Sequence, residues 1–504
     1  MAPKSAKKPR VLIVTPEVTY LPEGMGNMAN YLTAKAGGLA DVSAALVKAL
    51  FDQGADVHVT LPDYRSMFSA NFGALIRREL STIRSSMPED RVHLAEDRAF
   101  FYRRGVYSSY STENIKVALA FQREVINHII PSVKPDLIHA NDWMTGLIPA
   151  ASRNLGIPCL FTIHNIHTVK SSLAEIEDRG IDAASFWHHL FYERTPHYYE
   201  ETREANKVDF LVSGVFASHF VNTVSPTFLN EIVEGRHAFV EEPLRRELAS
   251  KAAADCAVGI LNAPEASFNP ASDSALARQY NPDGHILGKL HNKRYLQESL
   301  GLIRDDAAPV FFWPSRLDPV QKGPQLLTEI LYRIVSAHWG RNLQIVLVAN
   351  GEYQKHFRNI VAFHNLYNRV AVCDFDEKLS RLAYGAADFV LLPSRFEPCG
   401  LPQMYGSIYG ALPVVHDTGG LHDTVFHMDA PNNSGNGFVF KTFDSQGLYW
   451  AMDEAMRFYS LPPDMKHRQI HRVMVESAER FNHAATASRY IDLYEKMLKR
   501  PLLK

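Results

Sequence analysis

The sequence predicts an α/β protein of two doubly wound units, each a parallel sheet with helices on both faces. Three observations carry this. Short apolar runs rich in β-branched residues recur along the chain, and each closes at glycine, proline or a polar residue, the pattern of strands buried on both faces. The runs form two series that join near 259–265. A chain of 504 residues is also too long for one core, and about two to three domains is the expectation.

The first run, PRVLIVTPE, reads as a buried strand. GGLADVSAALVKALFDQGADVHVTLPDY follows as a glycine turn, an amphipathic helix with apolar Leu39, Val42, Ala45, Leu46 and Leu50, a stop at Gly54 and a second strand, which makes one βαβ unit. DLIHANDW, PCLFTIHN and FVNTVSPTF each read as a strand entering a polar loop. The second series is APVFFWPSRLD, LQIVLVANGE, RVAVCDF, FVLLPSRFE and LPVVHDTGG. In open α/β sheets ligands bind beyond the carboxyl ends of strands, so the expected site is a deep cleft between the two sheets. The expected boundaries are a disordered basic tail at 1–9, a first unit at 10–258, a second at 259–483, and a C-terminal helix at 484–504 that returns to the first.

Composition is that of a globular protein, with 46% hydrophobic and 21% charged residues. A net charge of -2 provides no global field for nucleic acid or an anionic membrane. MAPKSAKKPR lacks the apolar stretch of a secretory signal, and no run approaches the roughly 18 apolar residues of a membrane span. Cys159, Cys256, Cys373 and Cys399 show no CxxC spacing, which argues against a zinc site and a disulfide framework and favours the cytoplasm.

Three motifs carry chemistry. Lys35-Ala36-Gly37-Gly38-Leu39-Ala40-Asp41 sits at a helix mouth, where glycines allow close backbone approach and Lys35 adds positive charge suited to a diphosphate; the alternative is a βα turn that needs glycine for packing. Ser315 to Gly323 follows a strand and offers Arg316 as a planar fork and Lys322 as a point charge for phosphate oxygens; the alternative is a solvated surface pair. Arg395-Phe396-Glu397-Pro398-Cys399-Gly400-Leu401-Pro402-Gln403 places a carboxylate before a proline turn and a helix start, and Thr418-Gly419-Gly420-Leu421 repeats the device. His164 and His167 have no third ligand at a metal-binding spacing.

KAGGLAD, HANDW, IHN, VSPT, ILN, SRL…QKG, PSRFEPCGL and TGGL, in this order and over residues 10 to 500, resemble the bacterial glycogen synthases and plant starch synthases of glycosyltransferase family 5. The resemblance implies the two-domain GT-B fold and a retaining, metal-independent and cofactor-free transfer of glucose from ADP-glucose, or UDP-glucose, to the non-reducing end of an α-1,4-glucan. It assigns Lys35, Gly37, Gly38 and Asp41 to the donor loop, and His164 and Asp142 to the transferred glucose. Asn262 takes a hinge-side position, and Arg316 and Lys322 take the diphosphate. Glu397 takes the glucose hydroxyls, while Cys399, Gly400, Leu401 and Gly420 take the backbone cradle. Phe375 and Tyr102 take the rings near the nucleotide.

The chain departs from the family where HN-apolar-AYQG is usual. It reads His164-Asn165-Ile166-His167-Thr168-Val169-Lys170, and Met144 follows HANDW where a histidine is common. Tyr20 to Ala34 is an insertion that reads as an adaptable lid over the cleft or as a gate on acceptor length, Asn262-Ala263-Pro264-Glu265 replaces an NGID-like segment, and the SRL…QKG loop is one residue longer. These changes leave open a small sugar or sugar-phosphate acceptor, and a silent glucan-binding homologue is the reading from another class. Clustered charges at strand ends speak against the silent homologue.

Overall fold

The computed structural model describes residues 8–22, 24–26, 29, 32–36, 38–68 and 91–503. The basic tail before Lys8, Gly37 and part of the 20–34 insertion lie outside them. The chain divides into unit 1, Met1–Asn262 with His483–Lys504, and unit 2, Ala263–Asn482. Unit 1 extends past residue 258 because the strand Ala257–Gly259 pairs with its sheet.

The sheet of unit 1 contains β1 (Arg10–Val14), β2 (Asp56–Pro62), β3 (Val92–Ala95), β4 (Leu137–Asn141), β5 (Cys159–Ile163), β8 (Phe220–Thr223) and β9 (Ala257–Gly259). Its order is β3-β2-β1-β4-β5-β8-β9, parallel throughout. A short antiparallel pair, β6 (Lys170–Ser171) with β7 (Val208–Asp209), lies outside it. The helix Gly38–Asp52 forms where the apolar spacing requires it: Leu39, Val42, Ala45, Leu46 and Leu50 are all buried. It ends at Gly54, whose φ of +81 is the left-handed conformation that glycine adopts without a Cβ clash.

Unit 2 contains β10 (Val310–Trp313), β11 (Gln344–Val348), β12 (Val370–Cys373), β13 (Phe389–Leu392), β14 (Leu412–His416) and β15 (Phe438–Phe440), again all parallel, in the order β12-β11-β10-β13-β14-β15. Every residue of β10, β11 and β13 is buried. Each Val, Leu, Ile or Phe so buried stabilises the unit by about 1.5–3 kcal/mol before chain entropy is subtracted.

The helix His483–Leu498 belongs to unit 1 and carries two buried tyrosines into a polar network. The Tyr494 hydroxyl lies 2.7 Å from His139 Nδ1, whose Nε2 lies 2.7 Å from Thr162 Oγ1. Asn222 donates to the Tyr490 hydroxyl at 2.8 Å and accepts from the Ile260 amide at 2.8 Å. Burial pushes the His139 imidazole down to about 3, so it stays neutral. A buried group stripped of its partner costs about 1–3 kcal/mol, and this network leaves none of these side chains unpaired.

Candidate active site

Each sheet reverses its strand order once: between β1 and β4 in unit 1, and between β10 and β13 in unit 2. At such a switch point the loops leave neighbouring strands in opposite directions and open a crevice beyond the carboxyl ends. The residues singled out by motif concentrate on these loops.

In unit 1, Asp142 directly follows β4 with φ 58 and ψ 176. A non-glycine residue held there costs about 1–3 kcal/mol, a strain found where the surroundings over-determine a side chain's aim. Its buried carboxylate accepts from the His164 amide at 2.7 Å and from Asn165 Nδ2 at 3.2 Å. Burial nevertheless pushes Asp142 up to about 7, with the Glu17 charge adding to the shift and the two backbone amides opposing it. His164 follows β5, and its Nε2 lies 3.1 Å from Asn141 Oδ1. Burial lowers His164 to about 3, so its imidazole is neutral while its backbone amide is held by the Asp142 carboxyl.

Sequence reasoning missed Glu17 and Tyr107. Glu17, three residues past β1, is buried; its carboxylate accepts from the Ala36 amide at 2.7 Å and from the Tyr107 hydroxyl at 3.0 Å. Burial and the Glu17 charge raise the Tyr107 phenol far above its ordinary value. Tyr107 also packs on Trp143, with ring centroids 6.4 Å apart. Tyr102, the ring named from sequence, ends the short helix Arg98–Phe101 and is 84% exposed. A buried acid just beyond the first strand was the available signal for Glu17; Tyr107 lies 90 residues away and had none. Lys35 pairs with Asp41 at 3.0 Å, and Thr19 donates to the same carboxylate at 2.6 Å. Gly38 opens the helix Gly38–Asp52.

In unit 2, Lys322 Nζ lies 2.6 Å from Glu397 Oε2, which also accepts from Ser394 Oγ at 3.1 Å. The loops after β10 and β13 are tied together again where the Arg395 amide meets the Gln321 carbonyl at 2.8 Å. Arg316 is exposed, with no hydrogen bond or ion pair among the described residues. Gly323 has φ +71, and a Cβ there would stand 2.2 Å from the Pro393 carbonyl oxygen, so only glycine allows the β10 loop to pass so close to β13. The Gly420 amide donates to the Glu397 carbonyl at 2.9 Å and so shapes the loop that carries Glu397. Cys399 is buried; Gly400 is left-handed, with φ +70, and Leu401 precedes the helix Pro402–Ile408. Phe375 is 56% exposed beyond the outermost strand β12, its amide held by Asn350 Oδ1 at 2.9 Å. Asn262 closes the first segment of unit 1, buried, with Oδ1 meeting no partner among the described residues.

Among the described residues no group of three or more His, Cys, Asp and Glu could hold a metal ion, and no helix is long and apolar enough to cross a membrane.

Comparison with known proteins decides what this arrangement belongs to. Residues 10–246 match the family model "Starch synthase catalytic domain", and residues 308–457 match "Glycosyl transferases group 1". The glycogen synthase of Moorella thermoacetica is 32% identical over 519 residues, covering 97% of each chain. That of Syntrophotalea carbinolica is 31% identical, covering 92% of this chain and 96% of its own. The chain belongs to the glycogen and starch synthase family. Its fold is GT-B: the catalytic domain of starch synthase IV from Arabidopsis thaliana, solved with ADP and acarbose, superposes with a TM-score of 0.78 at 28% identity, covering 98% of this chain and 100% of that one. Sucrose-phosphate synthase from Thermosynechococcus elongatus shares the fold at a TM-score of 0.57 and 18% identity, covering 98% and 100%. In this glycogen and starch synthase chain the first matched span carries Lys35, Asp41, Asp142 and His164, and the second carries Arg316, Lys322, Glu397 and Gly420. Asn262 falls in neither.

Proposed function

We propose that the chain is a retaining glucosyltransferase that moves glucose from a nucleotide-glucose, ADP-glucose before UDP-glucose, to the non-reducing end of an α-1,4-glucan. The observation that carries this is the division of labour between the carboxyl ends of the two sheets: a neutral histidine and a buried carboxyl group after β5 and β4 in unit 1, and in unit 2 an exposed Arg316 on the loop that also brings Lys322 to Glu397. The ADP and acarbose held by starch synthase IV support the donor base and the glucan class of acceptor.

Transfer breaks the bond from the glucose anomeric carbon to the diphosphate oxygen and forms one to the acceptor hydroxyl oxygen. The acceptor proton passes to the departing phosphate, so no protein nucleophile or resident cofactor is required. The sugar centre becomes cation-like while negative charge grows on the diphosphate, and fixed cations aimed at that charge are the largest source of rate enhancement in such sites. Arg316 and Lys322 supply them without a metal. Glu397, held by Lys322 and Ser394, takes sugar hydroxyls. His164, neutral at pH 7, donates to or accepts from the transferred glucose without repelling its positive centre. The four cysteines are free thiols, which supports a cytoplasmic setting.

The test is nucleoside diphosphate release from ADP-glucose and UDP-glucose, with and without glucan primer, read together with chain extension. Primer-dependent release with longer chains is expected, faster with ADP-glucose. No turnover of either donor overturns the proposal.

A further inference from the structure

The loop that departs from the family pattern is rigidly built, and its construction shows what it presents. Thr168 Oγ1 donates to Asp209 Oδ1 at 2.7 Å, and the same Asp209 oxygen caps the helix Phe210–Ala217 through the Val212 amide at 3.0 Å. Lys170 sits within 4.0 Å of Glu193, Asp209 and Glu241. At its other end the loop is tied to the site: Asp142 holds Asn165 Nδ2 at 3.2 Å, and Asn165 Oδ1 accepts the His167 amide at 2.8 Å. His167 is therefore two hydrogen bonds from Asp142.

Its side chain is the part left over. The imidazole stands edge to face on Trp143, with ring centroids 5.3 Å apart and planes at 76°, and it is exposed. Tyr107 packs on the same indole and is 38% exposed. Neither ring nitrogen of His167 is engaged by another described residue. Two accessible rings on one buried indole, one with unspent hydrogen-bonding groups, match a pyranose, which offers an apolar face and a rim of hydroxyls.

We propose that His167 is an acceptor-binding residue: its imidazole contacts the terminal glucose of the acceptor, and the pinned 168–170 segment holds it against Trp143 for that purpose. This rests on the glucosyltransferase reading above. A side chain that merely propped Trp143 would disturb the fold and both substrates together, whereas an acceptor contact changes one Michaelis constant.

The experiment compares wild-type protein with His167→Ala and His167→Gln, using ADP-glucose and maltooligosaccharides of two to seven residues. His167→Ala should raise KM for every acceptor by about 10-fold, the loss of one ring contact and one hydrogen bond. Donor KM, kcat and the melting temperature should stay within about two-fold or a few degrees, and His167→Gln should recover part of the loss. An unchanged acceptor KM, or equal shifts in both KM values in both variants, overturns the inference while leaving the transferase reading intact. A wild-type protein that turns over no nucleotide-glucose overturns both.

Discussion

The switch points of the two units occupy the same topological position and solve the problem of burying polar groups in opposite ways. In unit 1 burial disfavours charge on three of the polar groups: it lowers His164 to about 3, raises Asp142 to about 7 and raises Tyr107. In unit 2 the ionisable groups are instead paired, as Lys322 is with Glu397, or exposed, as Arg316 is. One architecture thus yields a surface suited to a neutral sugar and another suited to an anion. The strand order sets where a site forms, and the burial of each side chain sets which chemistry it performs.

The largest expected effect lies in the charged cluster. Arg316→Ala and Lys322→Ala should each lower kcat by about 100–1,000-fold, the usual consequence of removing one group that stabilises developing negative charge. Their stabilities should part: only Lys322→Ala strips buried Glu397 of its counter-ion, a change of about 3–5 kcal/mol. Calorimetry beside turnover checks this, and equal melting temperatures for the two variants would break the contrast between pairing and exposure.

The next effect sharpens the neutral side. Asp142 has its folded pKa raised from 3.8 to about 7, so its contribution to stability is fully present below about 3.8 and is lost as pH rises towards 7. Melting temperatures from pH 4 to 8 should therefore show wild type losing stability relative to Asp142→Asn across that window and running parallel to it above. Parallel curves throughout would mean that the carboxyl is ionised at all these pH values.

A smaller effect concerns the loop carrying Glu397. A Cβ on Gly420 would lie 1.9 Å from the Cys399 carbonyl oxygen, whereas one on Gly340 would meet nothing within 4 Å. Gly420→Ala should cost about 1–3 kcal/mol and reduce turnover, and Gly340→Ala should change stability by under about 0.5 kcal/mol. A modest effect lies outside both clusters: Tyr494→Phe orphans His139 Nδ1 and should cost about 1 kcal/mol in urea unfolding, with kcat unchanged.

Much of this was legible in the sequence because buried parallel strands leave short, mainly apolar runs: β1, β2, β4, β5, β8 and β10 to β14 each sit on one. The strands β3, β9 and β15 are only partly buried, so their residues form no run that marks them out. Site residues at strand ends, such as Asp142, His164 and Glu397, were readable because the strand before them was. Contacts across long separations were not. Tyr107 shows why: it lies in the same loop region as Tyr102, and only the fold reveals that it reaches Glu17. Likewise nothing local marks Gly420 as a packing residue, since the carbonyl that forbids a side chain there belongs to Cys399.

The tyrosines of the last helix have one more consequence. The polypeptide crosses between units twice, after Asn262 and after Asn482, and its final segment is bound into unit 1 through His139 and Asn222. A proteolytic nick at the first crossing would therefore yield fragments of 262 and 242 residues that share a non-covalent anchor. Co-expressed as separate genes, these pieces are natural partners for fragment complementation.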